Sequence, residues 1–359
     1  MKTWKDNVRS VVPYVPGEQP DEPDMIKLNT NENPYPPSPL VEQALEKMKT
    51  DTFRLYPDPT AHKLVKAIAD YHGLKETEVF AGVGSDDVLA MVFMTFFNGK
   101  DPILFPDITY SFYDVWAELL RIPYERIPLN DEFDIVGDDY KKVNGGIIFP
   151  NPNAPTGAEL SQDAVRAVIE DNPDSVVVVD EAYVDFGAET VLPLIHEYDN
   201  LLVVRTFSKS RSMAGVRIGY ACGNEEMIRF LNDVKYSFNS YTMDTMVLYL
   251  GEASIKDESY FRETIKKITE TREWTQKQLA RLGFSFKDSK ANFVFAKHES
   301  CPASELFERL REEHIYVRHF DKPRISNYLR ITIGTPEEMR KLTEFLEHYL
   351  AQRNGKGEA

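Results

Sequence analysis

The stretch Val176–Tyr183 reads VVVVDEAY and constrains the fold more than any other part of the chain. Four consecutive valines have no polar face, so they suit a strand covered on both sides, as in a parallel sheet sandwiched by helices. Asp180 follows at the strand's carboxyl end, the edge where open α/β sheets bind ligands. Capping of the next turn is an equally available role for that carboxylate. Further apolar or β-branched runs predict strands at Val79–Ala81, Pro102–Phe105, Gly146–Phe149, Leu201–Thr206 and Arg217–Ala221. Amphipathic stretches at Asp86–Phe97 and Ser161–Glu170 predict helices between them. The alternation implies a mostly parallel α/β sheet.

After Asp257 the pattern changes. A long charged helix is expected over Asp257–Leu282, then a strand at Asn292–Ala296 and a helix at Ala303–Glu313. Strands around Ile315–Arg318 and Leu329–Ile333 and a last helix at Pro336–Gln352 complete a smaller α+β unit. The expected organisation is an extended arm over 1–28, a large domain over 29–256 and a small domain over 257–359. With 359 residues, 42% of them hydrophobic, the chain can bury such a core. Its net charge of −16 argues against nucleic acid and anionic membrane surfaces as partners. The two cysteines, Cys222 and Cys301, have neither disulfide-scaffold nor zinc spacing. Nothing near Met1–Ser10 resembles a signal peptide, and a cytoplasmic enzyme is expected.

Three other segments carry chemistry. In Leu201–Tyr220 a loop holding Ser208, Lys209, Ser210 and Ser212 precedes Arg217, an arginine expected to open an apolar strand. A lone loop lysine is ordinarily a solvated charge, but an arginine in an apolar run requires an anion. Asn151–Gly157, NPNAPTG, is a loop stiffened by its prolines. Gly82–Asp87, GVGSDD, leads into a helix whose free N–H groups can receive a phosphate, or whose serine is simply a cap.

The order and spacing of NPNAPTG, DEAY and Ser208-Lys209 with Arg217 eight residues on resemble the class I and II aminotransferases, pyridoxal-5′-phosphate (PLP) enzymes of fold type I. The resemblance runs from Asn31–Tyr35 (NENPY) to Leu329–Glu338 (LRITIGTPEE). It implies a seven-stranded, mostly parallel sheet between helices, and a small α+β domain. It also implies that Lys209 binds PLP covalently, that Asp180 faces the pyridine nitrogen and that Tyr183 reaches the phenolic oxygen. Gly84, Ser85, Asp86, Ser208 and Arg217 are implied around the phosphate, with Tyr110 stacked on the ring. Tyr56 would reach the partner's phosphate in a homodimer. Many relatives have an asparagine where this chain has Ala154, and Asn153 is expected to supply the missing contact.

Within that superfamily PYVPG (Pro13–Gly17), LNTNENPY (Leu28–Tyr35) and LYPDP (Leu55–Pro59) are most similar to the histidinol-phosphate aminotransferases. That resemblance implies glutamate and a phosphorylated amino compound as substrates, with Tyr14, Asn33, Arg318 and Arg330 contacting them. The alternatives on this scaffold are an aromatic amino-acid aminotransferase and a threonine-phosphate decarboxylase. A PLP-binding regulatory module would need a basic DNA-binding segment ahead of the arm, and none is visible.

Overall fold

A computed structural model describes residues 3–356. The first strand, β1 (Ile26–Lys27), is followed by β2 (Val79–Gly82), β3 (Ile103–Pro106), β4 (Tyr124–Ile127) and β5 (Ile147–Pro150). Next come β6 (Val177–Asp180), β7 (Leu201–Thr206) and β8 (Gly219–Gly223). Strands β2 to β8 form one seven-stranded sheet in the order β2-β8-β7-β6-β5-β3-β4. All its neighbours pair in parallel except at β8, which is antiparallel to both β7 and β2. Every residue of β5, β6 and β7 is buried, as a sheet covered on both faces demands. Two apolar clusters supply the cover. Val177 and Val179 pack to one side with Leu64 and Leu104, while Val178 packs to the other with Phe93 and Phe105.

The remaining strands are β9 (Phe284–Phe286), β10 (Phe293–His298), β11 (Ile315–Tyr316), β12 (Arg318–His319) and β13 (Leu329–Thr332). A four-stranded antiparallel sheet runs β12-β13-β10-β9, covered by the helices Glu258–Arg281, Ala303–Glu312 and Pro336–Lys356. The single strand expected over Ile315–Arg318 is instead two. Ile315–Tyr316 pairs in parallel with Ile26–Lys27, whereas Arg318–His319 pairs antiparallel with β13. The segment after β1 is tied to the four-stranded sheet. Thr332 N donates to Leu28 O at 3.0 Å, and Asn292 Nδ2 donates to Asn31 O at 3.0 Å.

One expectation about the large sheet is corrected. Arg217 does not open β8; it lies in the turn before it, with φ +61°. A left-handed arginine is uncommon, and such backbone persists where the surroundings dictate it.

Candidate functional site

The carboxyl ends of β2, β5, β6 and β7 point to one side, and their following loops gather there. Gly219 lies between Gly82 on β2 and Thr206 on β7. A Cβ on Gly219 would come within 2.3 Å of Ser85 N and 2.4 Å of Gly84 C, and one on Gly84 (φ +82°) within 2.5 Å of Arg217 Nη2. Hydrogen at these two positions is what lets three loops close together.

The helix Gly84–Phe96 begins in this cluster, and Val83 before it offers no side-chain cap. Its first N–H groups therefore remain available to an anion. Arg217 Nη2 meets Asp86 Oδ2 at 3.0 Å, and Nη1 donates to Ser208 Oγ at 3.4 Å and to Ala214 O at 3.2 Å. Tyr110 donates to Asp86 Oδ1 at 2.7 Å. Burial first, and Asp86 second, raise its phenol well above the usual value. Gly84, Ser85, Asp86, Tyr110, Ser208 and Arg217 thus come together.

Asp180 is buried at the end of β6. Oδ2 accepts from the Tyr113 hydroxyl at 3.1 Å and Oδ1 from Ala182 N at 3.1 Å. Desolvation lifts its pKa to about 7, opposed by those two hydrogen bonds. Tyr113 was not singled out in the sequence, although it lies three residues beyond Tyr110, in the first turn of the helix Phe112–Leu120. Among the described residues no cation pairs with Asp180, so this carboxylate suits a cationic ligand atom.

Lys209 Nζ donates to Thr30 O at 3.0 Å and lies 5.9 Å from the Tyr183 ring centroid. Its backbone is gripped as well, since Asn33 Nδ2 donates to Lys209 O and to Ser210 O, both at 3.2 Å. Beneath it, Ser210 Oγ donates to Asp185 Oδ2 at 2.5 Å. Asp185 and the buried Glu181 both engage Arg205 of β7, at 3.4 and 2.8 Å. Burial is the largest single influence on Arg205 and opposes its charge, but Glu181, Tyr220 and Asp185 together outweigh it and hold the guanidinium protonated.

Asn153, expected to contact the cofactor's phenolic oxygen, is buried in its loop. Its Nδ2 donates to Ile108 O at 2.9 Å and to Thr156 Oγ1 at 3.1 Å, and its Oδ1 accepts from Thr109 at 3.2 Å. It binds its own loop together. The amide that reaches Tyr183 is Asn31, whose Nδ2 donates to the hydroxyl at 2.9 Å; no local pattern marks a residue 152 positions away in the chain as that partner.

Arg330 on β13 donates from Nη2 to Asn29 O at 2.8 Å, while its Nε is sealed from solvent without a partner. Burial, helped by the nearby Arg318, lowers its affinity for the proton, and Tyr183 counters this. A guanidinium left like this calls for an anion. Arg318, Phe320 and Tyr14 line a cleft with Ile108, Thr109 and Pro155, and Tyr14 stacks on Phe112 at 4.2 Å. Tyr56 stands apart, 82% exposed, against Tyr241 at 4.7 Å.

Known proteins share the sequence family and the fold. The profile of the "Aminotransferase class I and II" family matches residues 23–346. A histidinol-phosphate aminotransferase of Lactococcus lactis subsp. lactis is 52% identical over 348 residues, covering 97% of each chain. One from Clostridium beijerinckii is 51% identical over 350 residues, covering 98% of each. A solved histidinol-phosphate aminotransferase from Sinorhizobium meliloti, in complex with pyridoxal-5′-phosphate, superposes with TM-score 0.82. It covers 91% of each chain at 22% identity, and so speaks for the fold. The chain belongs to the class I and II aminotransferases, and within them to the histidinol-phosphate aminotransferase family.

Proposed function

We propose that this protein is a PLP-dependent transaminase moving an amino group between glutamate and imidazole-acetol phosphate, giving histidinol phosphate in histidine biosynthesis in the cytoplasm. The observation that carries it is Arg330, a half-buried arginine close to Tyr183 whose Nε is sealed without a partner and which pairs with no carboxylate among the described residues. The residues present suit the cofactor. The cradle at Gly84 and Gly219 has no room for a Cβ, and the unpaired buried Asp180 matches a protonated pyridine nitrogen. When bound, PLP supplies a ring that accepts the electrons released at the substrate Cα.

The chain's own groups do the rest. Lys209 would hold the cofactor covalently, and its amine would move the proton at the substrate Cα. Thr30 O and the Asn33 side chain fix where that amine stands. Asp180 keeps the proton on the pyridine nitrogen, with Tyr113 steadying the carboxylate. The Tyr183 hydroxyl is held by Asn31 and would hydrogen-bond the cofactor's phenolic oxygen. Ser85, Ser208, Arg217 and the backbone at Gly84 and Asp86 receive the cofactor phosphate, with Tyr110 at the ring. Arg330 takes the α-carboxylate of glutamate in one half-reaction and, with Arg318, the substrate phosphate in the other; a planar guanidinium accommodates both. Tyr14 and Asn33 border the same space. The large domain over 29–256 and the small one over 257–359 each contribute to it.

Separate half-reactions test this reading. Holoenzyme mixed with histidinol phosphate should lose its cofactor absorbance band quickly, and much more slowly with phenylalanine. The reverse order would make it an aromatic amino-acid aminotransferase. Release of carbon dioxide from threonine phosphate without 2-oxoglutarate would make it a decarboxylase.

The dimer is part of the proposal. Tyr56 is exposed with Phe53, Leu55, Phe238 and Tyr249, which suits an apolar face against a second copy with Tyr56 entering the partner's site. Chains carrying Tyr56→Ala and chains carrying Lys209→Ala, refolded together, should show activity above either parent. No gain from mixing would show that each site is built from one chain.

A further inference from the structure

Arg318 and Arg330 face each other directly across β12 and β13. Like charges directly opposite in an antiparallel pair are destabilising, and among the described residues neither arginine makes an ion pair. What they share is an aromatic ring. Phe320, two residues beyond Arg318, has its centroid 5.4 Å from the Arg318 guanidinium carbon and 5.6 Å from that of Arg330. Phe295, which stands across from Arg330 on β10, holds Phe320 edge-on at 6.4 Å.

The two arginines differ in what else holds them. Arg330 has the Asn29 carbonyl at 2.8 Å and the Phe293 ring at 5.5 Å. The Arg318 side chain makes no hydrogen bond among the described residues, so the Phe320 ring is its main anchor. The negative face of an aromatic ring attracts a guanidinium and offsets part of the repulsion between two of them. Removing it would free the Arg318 side chain, and the entropy of reordering it would then fall on ligand binding.

We propose that Phe320 is a specificity-determining residue: it keeps Arg318 and Arg330 ready as a pair for one doubly charged phosphate ester. A single carboxylate does not need the pair, because Arg330 with its own anchors suffices. The proposal rests on the reading that these arginines receive the substrate anion. It adds that discrimination between phosphate and carboxylate resides in an apolar ring that donates no hydrogen bond.

The test compares both half-reactions in Phe320→Leu and Phe320→Trp. In F320L the KM for histidinol phosphate should rise roughly tenfold, the effect of losing one or two cation–π contacts. Its kcat, and the KM for glutamate, should stay within about twofold, as expected where ground-state and transition-state binding fall together. F320W should keep near-normal values, since its ring restores the contact. Methyl phosphate, titrated against the absorbance of the resting holoenzyme, should bind F320L about tenfold more weakly, with acetate unchanged. An unchanged phosphate affinity in F320L, or equal losses for glutamate and phosphate, would overturn the assignment. Should F320L fold poorly, failure of the folded F320W to discriminate phosphate from carboxylate would overturn it as well. If instead the wild-type enzyme handles unphosphorylated histidinol as fast as its phosphate, and Arg318→Ala changes nothing, the underlying reading of the arginines falls, and the role of Phe320 with it.

Discussion

Lys209→Ala should lower the transamination rate by about 10⁴-fold, the upper range for removing a positioned proton-transfer group, because the covalent link is lost together with the proton carrier. The variant should still take up PLP, since the cradle at Gly84, Ser85, Ser208 and Arg217 does not depend on the lysine. The bound cofactor should release on mild denaturation and stay unattached after borohydride treatment, whereas the wild type should be labelled at Lys209. The side chain gives up one hydrogen bond, to Thr30 O at 3.0 Å, and its contact with the Tyr183 ring. The thermal midpoint of the ligand-free protein should therefore move by no more than a few degrees. Retention of the full rate would remove Lys209 from the reaction.

Asp180→Asn should have opposite effects on the ligand-free and the loaded protein. The Asp180 carboxyl titrates near 7 in the folded, ligand-free chain against 3.8 for an unperturbed one, because burial penalises its charge. Between those two pH values the folded state binds the proton and the unfolded state does not, so stability falls as pH rises. At 1.36 kcal/mol per pH unit the full cost is about 4 kcal/mol, complete above pH 7 and absent below pH 4. A neutral amide of the same shape removes that cost. Apo Asp180→Asn should then be the more stable protein at pH 8, by up to about 4 kcal/mol in denaturant titrations, with the gain gone at pH 4. Its turnover with PLP should fall by on the order of 10³-fold, because an amide cannot hold the pyridine nitrogen protonated in a site where charge stabilisation is the largest contribution. Equal stability of the two apo-proteins at pH 8 would contradict this account of the buried carboxylate.

Some elements could be read from the chain because one local signal sufficed. Leu201–Thr206 is a strand over the span that its apolar run indicates, and the four valines of Val176–Val179 lead into β6 with Asp180 at its end. Others depend on partners distant in sequence. The edge strand Tyr124–Ile127 escapes because Glu125 and Arg126 give it an exposed, charged middle. The helix Thr245–Lys256 has an apolar composition without a clean stripe, since both flanks are covered by other helices. The break at Val317 follows from β11 finding Ile26–Lys27 while β12 finds β13. The site divides in the same way. Lys209 and Asp180 sit in compact motifs, whereas Asn31 and Thr30 act across the fold and Tyr113 acts through burial. The left-handed backbone of Arg217 is imposed by the cradle and contradicts what an arginine prefers.

The short run from Leu28 to Asn33 touches both ends of the reaction space. Asn29 O holds Arg330, Thr30 O holds the Lys209 amine, Asn31 holds the Tyr183 hydroxyl, and Asn33 holds the backbone of Lys209. Its Leu28 and Asn31 ends are tied to Thr332 on the same strand as Arg330. Adjacent peptide units thus serve the anion and the amine, with no slack between them. A displacement of β13 would therefore reach the Lys209 amine through a single stiff tie, coupling the position of Arg330 to that of the lysine.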